Sequence, residues 1–167
     1  MADTPVRWLL PRNRRLPAHL YETIGQPCAF TIRTAPSTAP FAHPALARLA
    51  VECLLEQRIK SSCQLEVYCV MPDHLHLVVT PAEDGASSLR FVDRFKGWYS
   101  RVAHQAGVPG PMWQPRSYDH LIRTHEDLHR IADYIMANSI RKGLCDHAEE
   151  YPWSGILQPI AFESHAP

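Results

Sequence analysis

The sequence predicts an α+β chain of order β-α-β-β-α-β, closed by an added C-terminal helix that carries a tyrosine. Three observations carry this reading. Short apolar stretches with period-two alternation occur at 27–34, 65–70, 74–80 and 118–123. Stretches with apolar residues at helical spacing lie between them or follow them, at 44–60, 89–105 and 125–142. Proline and glycine clusters separate the two kinds. This order is that of the ferredoxin-like fold, which by itself says little about function.

Each element has a local reason. Pro27 to Thr34 reads as a first strand, and Pro36, Pro40 and Pro44 make a loop after it. From Pro44 to Lys60 the residues Leu46, Leu49, Ala50, Cys53 and Leu54 recur on one helix face, with Pro44 tolerated in the first turn. Leu65–Val70 and His74–Thr80 are strands joined at Met71-Pro72-Asp73. Ser87 or Ser88 caps a helix from Leu89 to Gln105, and Gly107, Pro109, Gly110 and Pro111 end it. Tyr118–Arg123 is a fourth strand. Thr124 then caps a helix reaching Lys142, with Asp127 placed as in a capping box and Gly143 where a C-cap glycine belongs. The expected organisation is a basic segment over 1–25, one folded domain over 26–157 and a tail over 158–167.

Composition narrows the class. The chain has 167 residues, which fits one domain with a core of its own. No apolar run approaches a membrane span, and the N-terminus lacks the apolar core of a signal peptide. Cys28, Cys53, Cys63, Cys69 and Cys145 are odd in number and contain no C-x-x-C, which excludes a zinc knuckle and a regular disulfide framework. Reduced thiols in a cytoplasm are expected. Lys plus Arg and Asp plus Glu both number 17, so any polyanion must be met by a local patch rather than by net charge.

Four stretches carry residues suited to chemistry. His74 and His76 sit two apart on a strand and so project from one face, while Leu75, Leu77 and Val79 take the other. Two imidazoles on one face make half of a metal site; the plainer reading is a half-buried strand with two polar residues toward solvent. Tyr134 and Asn138 are four apart beside the stripe Leu128, Ile131, Ala132 and Ile135, and Arg130 and Arg141 flank that side. The plainer reading of these positions, favoured on these residues alone, is a boundary tyrosine with its ring packed and its hydroxyl solvated. Arg90, Arg94, Trp98 and Arg101 share a helix face that suits a nucleic-acid backbone, or an ordinary solvated face. Finally Trp113, Arg116, Tyr118, His120 and Arg123 mix rings and cations, as does a core tryptophan beside a strand.

In combination these stretches resemble a family. Val70-Met-Pro-Asp-His-Leu-His-Leu-Val78, Trp113-Gln-Pro-Arg-Ser-Tyr-Asp-His120, Asp133-Tyr-Ile-Met-Ala-Asn138 and Tyr151-Pro-Trp-Ser154 are similar to segments of the single-tyrosine HUH transposases, more narrowly the REP-associated tyrosine transposases. The similarity runs from about Leu16 to Ser154. It implies that His74 and His76 bind a divalent metal, Mg2+ or Mn2+, that Asn138 is a third ligand, and that Tyr134 is the nucleophile. It implies a tyrosine that keeps the 5′ phosphate and frees a 3′ hydroxyl, with a DNA hairpin and a single-stranded flank as substrate. Arg12, Arg14, Arg15, Arg90, Arg94, Trp98, Arg101, Arg116, Arg123 and Arg130 are the candidate DNA contacts. A monomer and a homodimer both remain open.

Two positions depart from the family's pattern. Asn138 is followed by Ser139 where proline is usual, which lets the helix continue. Asp73 precedes the first histidine where asparagine or glutamate is common, and either adds charge near the metal or caps the turn. Three competing readings have weaker support. A silent DNA-binding relative has no need of all four site residues. A His-x-His-x-His nucleotide hydrolase needs a third histidine where Val78 stands. A replication nuclease of the same class generally carries further domains.

Overall fold

The computed structural model describes residues 15–157. The elements are β1 (Cys28–Arg33), α1 (Pro44–Lys60), β2 (Cys63–Met71), β3 (His74–Pro81), α2 (Ser88–Gln105), β4 (Tyr118–Leu121), α3 (His125–Met136), α4 (Asn138–Arg141) and β5 (Ser154–Ile156). They confirm the ferredoxin-like order. The strands form one sheet, β4-β1-β3-β2-β5, in which every neighbouring pair is antiparallel. β1 and β2 are therefore parallel to one another across β3, and α1 supplies the crossover that such a pair requires.

The helices begin where the capping residues stand. His43 accepts from the Ala45 amide ahead of Pro44, Ser87 from Arg90, and Thr124 from Asp127. α1 and α2 cover one face of the sheet, where Phe30, Ile32, Leu75, Leu77 and Val79 meet Leu54, Phe91, Phe95 and Tyr99. α3 covers part of the other face, where Val67, Cys69, Met71 and Val78 meet Ile122, Leu128, Ile131 and Ile135. A bulge lies between Leu65 and Val67 in β2. Leu65 faces α1 and α2, while Val67, two residues on, faces α3. The extra residue reverses the alternation for the rest of β2.

Three features differ from the sequence-based reading. The last helix does not run unbroken to Lys142. It stops at Met136, and Ala137 separates it from the four-residue α4. Asn138 explains the break, because its side-chain amide takes up the carbonyls of Tyr134 and Ile135 at the end of α3. Second, β5 was not expected. It pairs with β2 at Val67–Cys69, and Tyr151 anchors the approach with a 2.7 Å hydrogen bond to the Val70 carbonyl. Third, Tyr21 lies in the segment read as irregular, yet it is buried and donates to Asp119 at 2.6 Å. Of the two readings open for Trp113 the core one holds: it packs against the core, with its indole donating to the Lys96 carbonyl and Ser100. Gly143 takes the left-handed conformation expected after α4, with φ 66°.

Candidate active site

The site lies on the α3 face, at the end of the sheet where the β2–β3 hairpin turns. Strand alternation places His74, His76 and Val78 on this face and Leu75, Leu77 and Val79 beneath α1 and α2. Pairing fixes the neighbours. Thr31 stands opposite His76 and Arg33 opposite His74 on β1, and Tyr118 stands opposite Thr31 on β4. α3 and α4 bring Tyr134, Asn138 and Lys142 over the same ground. The result is a cleft of about 350 Å3 lined by Thr31, Arg33, His74, His76, Tyr118, Tyr134, Asn138 and Lys142.

The two histidines are held in similar ways. Their rings lie 4.8 Å apart, centroid to centroid, and nearly perpendicular. His74 uses Nδ1 against Asp73 Oδ1 at 2.6 Å, and His76 uses Nδ1 against Thr31 Oγ1 at 2.9 Å. Each ring therefore keeps Nε2 for a further partner. A carboxylate at Nδ1 requires a proton on that nitrogen of His74, which leaves Nε2 as the lone-pair donor.

The electrostatics keep both rings neutral. Burial pushes the His76 pKa down to about 3, and the charges of His74, Arg141 and Arg33 add to the effect. Burial also lowers His74, against the hydrogen bond and charge of Asp73, which raise it. Burial alone would raise Asp73, but the hydrogen bond from His74 and the charge of Arg33 bring it below its ordinary value. The pair is thus a carboxylate accepting from a neutral imidazole, and neutral imidazole is the form that ligates a metal.

Tyr134 stands edge-on to His76, with centroids 6.3 Å apart and planes at 83°. The Arg141 guanidinium carbon lies 3.7 Å from the Tyr134 ring centroid. Asn138 is buried, with Nδ2 donating to the two α3 carbonyls and Oδ1 accepting from Arg141 at 2.9 Å through one of its two lone pairs.

Among the described residues no group of three His, Cys, Asp or Glu side chains converges as a metal site. The available donors are two imidazole nitrogens and one amide oxygen. With two nitrogen donors and one oxygen this set could hold a divalent cation that keeps its other positions for water or phosphate. Cys69 pairs with His76 across the sheet but is buried against Met71, and burial pushes its thiol up to about 12. It does not line the cleft.

The other sequence candidates are elsewhere. Arg90, Arg94, Trp98 and Arg101 lie on α2, the layer behind the sheet from the cleft. Arg90 is tied to Glu22 and the Gly85 carbonyl, both at 3.2 Å, and Lys60 sits 4.4 Å above the Trp98 ring. Arg116, Arg123 and Arg130 are exposed around β4 and α3 and do not line the cleft. Arg15 is exposed; Arg12 and Arg14 lie outside the described residues, as does the tail over 158–167. The sequence reading missed Thr31, Arg33 and Lys142. A signal for the first two existed, since 31 and 33 are the polar positions of a strand whose alternate residues, Phe30 and Ile32, are apolar.

Comparison with known proteins adds to this geometry. The family model described as "Transposase IS200 like" matches residues 43–138. A REP-associated tyrosine transposase of Escherichia coli (strain K12) is 26% identical over 98 residues, covering 59% of this chain and 57% of that protein. A second curated relative, from Haemophilus influenzae, is 27% identical over 106 residues, covering 57% of this chain and 60% of that protein. The chain thus spans less than two thirds of the curated relatives it matches. The solved structure of a REP-associated tyrosine transposase bound to a REP hairpin superposes with a TM-score of 0.70 at 21% identity, covering 90% of each chain. That likeness establishes a shared fold. No helix among the described residues is long and apolar enough to cross a membrane.

Proposed function

The chain belongs to the IS200-like transposase family, and on that premise we propose that it cuts and rejoins single-stranded DNA beside a hairpin, through a phosphotyrosine formed on Tyr134. One observation carries the reading: the fold gathers His74, His76, Tyr134 and Asn138 into a single cleft, although the two pairs lie some sixty residues apart in sequence.

His74, His76 and Asn138 would hold a divalent ion, Mg2+ or Mn2+, which when bound would polarise a phosphate oxygen, take up negative charge that develops on the phosphate oxygens and leave phosphorus more open to attack. The protein's own groups supply the rest. Tyr134 gives up its phenolic proton and its oxygen forms a bond to phosphorus, while the bond from phosphorus to the 3′ oxygen breaks. The departing oxygen takes a proton and leaves as a 3′ hydroxyl, and the 5′ phosphate stays on the tyrosine. A 3′ hydroxyl attacking that phosphotyrosine reverses the step, so rejoining needs no external energy source. Asp73 and Thr31 hold the histidine rings in position. Arg33 and Lys142 place two cations at the rim for phosphates flanking the scissile bond.

The hairpin as substrate rests on the relative of the same fold that is bound to one. Its stem would be held by backbone contacts and its flank led into the cleft. Action on DNA in this way places the protein with the chromosome, in the cytoplasm. The test is incubation with a labelled hairpin oligonucleotide carrying single-stranded flanks, with Mn2+. A covalent protein–DNA adduct that depends on His76 and is lost on chelation is expected. Cleavage that continues in His76→Ala, or in excess chelator, refutes the metal-dependent reading.

A further inference from the structure

Asn138 has a single oxygen, and the fold has already engaged it. Its orientation follows from its partners, because two carbonyls require the amide nitrogen on one side and a guanidinium requires the oxygen on the other. Arg141, the donor at 2.9 Å, also reaches the Tyr134 carbonyl at 3.4 Å and covers the Tyr134 ring. One exposed arginine therefore touches both residues of the C-terminal half on which the proposed reaction depends. It stands at the end of the four-residue α4 and takes no part in either hydrophobic cluster. It can leave without unpacking the core.

We infer that Arg141 gates the third metal position: its guanidinium and the metal compete for Asn138 Oδ1, and a metal bound there releases the guanidinium for the scissile phosphate. This rests on the metal-dependent reading above. An amide oxygen that accepts from a cation is a poorer donor to a second cation, and two positive groups at one oxygen repel. Arg141 and the metal therefore compete for Oδ1. The released side chain remains one helical turn past Asn138, beside Tyr134, and its planar fork matches phosphate oxygens. Loading thereby frees a phosphate clamp at the cleft, and DNA that draws Arg141 away strengthens metal binding in return.

The test is Mn2+ binding to the full chain without DNA, followed by the electron paramagnetic resonance of free Mn2+. Arg141→Met keeps much of the bulk and removes the donor and the charge. It is expected to bind Mn2+ about 10-fold more tightly, the equivalent of one charge-assisted hydrogen bond, while adduct formation with the hairpin falls. Arg141→Lys, which retains a cationic donor, should bind Mn2+ much as the parent does. In an Asn138→Ala background, Arg141→Met should no longer change Mn2+ affinity, because there is no oxygen to compete for. Unchanged or weaker binding in Arg141→Met overturns the gate, and so does a gain that persists without Asn138. Loss of the metal site itself is read separately: if His74→Ala leaves Mn2+ affinity intact, the underlying metal reading fails. Thermal unfolding establishes that each variant is folded.

Discussion

The rings of His76 and Tyr134 face each other edge to plane across the cleft, 6.3 Å apart between centroids. One comes from the middle of the sheet and the other from the helix laid over it. The position of α3 is set by Ile131 and Ile135, which are buried against Val67, Cys69 and Val78. The apolar seam that stabilises this layer thus also aims the tyrosine at the histidines.

Asp73 and Thr31 are expected to act through the histidines and not on DNA directly. Removing the Nδ1 partner frees the ring to turn and to exchange its proton between nitrogens. Asp73→Asn and Thr31→Val should each weaken Mn2+ binding by about 10-fold, toward the lower end of the range for such outer partners. Nitrogen-15 NMR of the metal-free protein should show the His74 ring losing its single tautomer in Asp73→Asn. An unchanged tautomer with unchanged affinity would leave Asp73 as a turn residue only.

Arg33 and Lys142 should contribute to DNA affinity in a salt-dependent way. Both are exposed at the cleft rim, so each contributes through phosphate rather than through stability. Arg33→Gln and Lys142→Gln should each lower the slope of log affinity against log salt by about 0.7 for a single strand. The melting temperature should stay within a degree or two. Equal slopes in variant and parent would remove that residue from the interface.

The pH dependence of folding has a defined sign. His76 is neutral in both states above its ordinary pKa of 6.5, and burial holds its folded value at about 3. Between those values the unfolded chain binds a proton that the folded chain does not. Stability therefore falls as pH drops through that window and returns as pH rises. Urea midpoints measured at pH 7 and pH 5 should drop more in the parent than in His76→Gln, which has no proton to bind. Equal drops would mean that other groups account for the whole effect.

The sequence carried much of this site, and the reason is periodicity. His74 and His76 had to share a strand face because side chains alternate. Tyr134 and Asn138 had to share a helix side because they are one turn apart. What periodicity does not carry is register between strands. Thr31 and Arg33 are neighbours of the histidines only because β1 pairs with β3 as it does. The helix break before Asn138 was equally hidden, since serine at 139 signals no stop and the break is made by the asparagine amide itself. β5 has only three residues, and the Tyr151-Pro-Trp-Ser154 segment showed no strand pattern of its own. The α2 stripe shows the opposite limit. Its residues share a helix, but only the layering reveals that this helix lies behind the sheet.

The central claim is that Tyr134 carries the DNA, and the cleft contains a second tyrosine, Tyr118, against which to test it. The direct measurement is peptide mass spectrometry after reaction with a hairpin oligonucleotide and Mn2+, followed by nuclease trimming of the bound strand. A nucleotide 5′-phosphate mass is expected on the peptide containing Tyr134, and Tyr134→Phe should abolish the adduct while Tyr118→Phe retains it. Attachment at Tyr118, or strand cleavage with no attached nucleotide on any tyrosine, would contradict the claim.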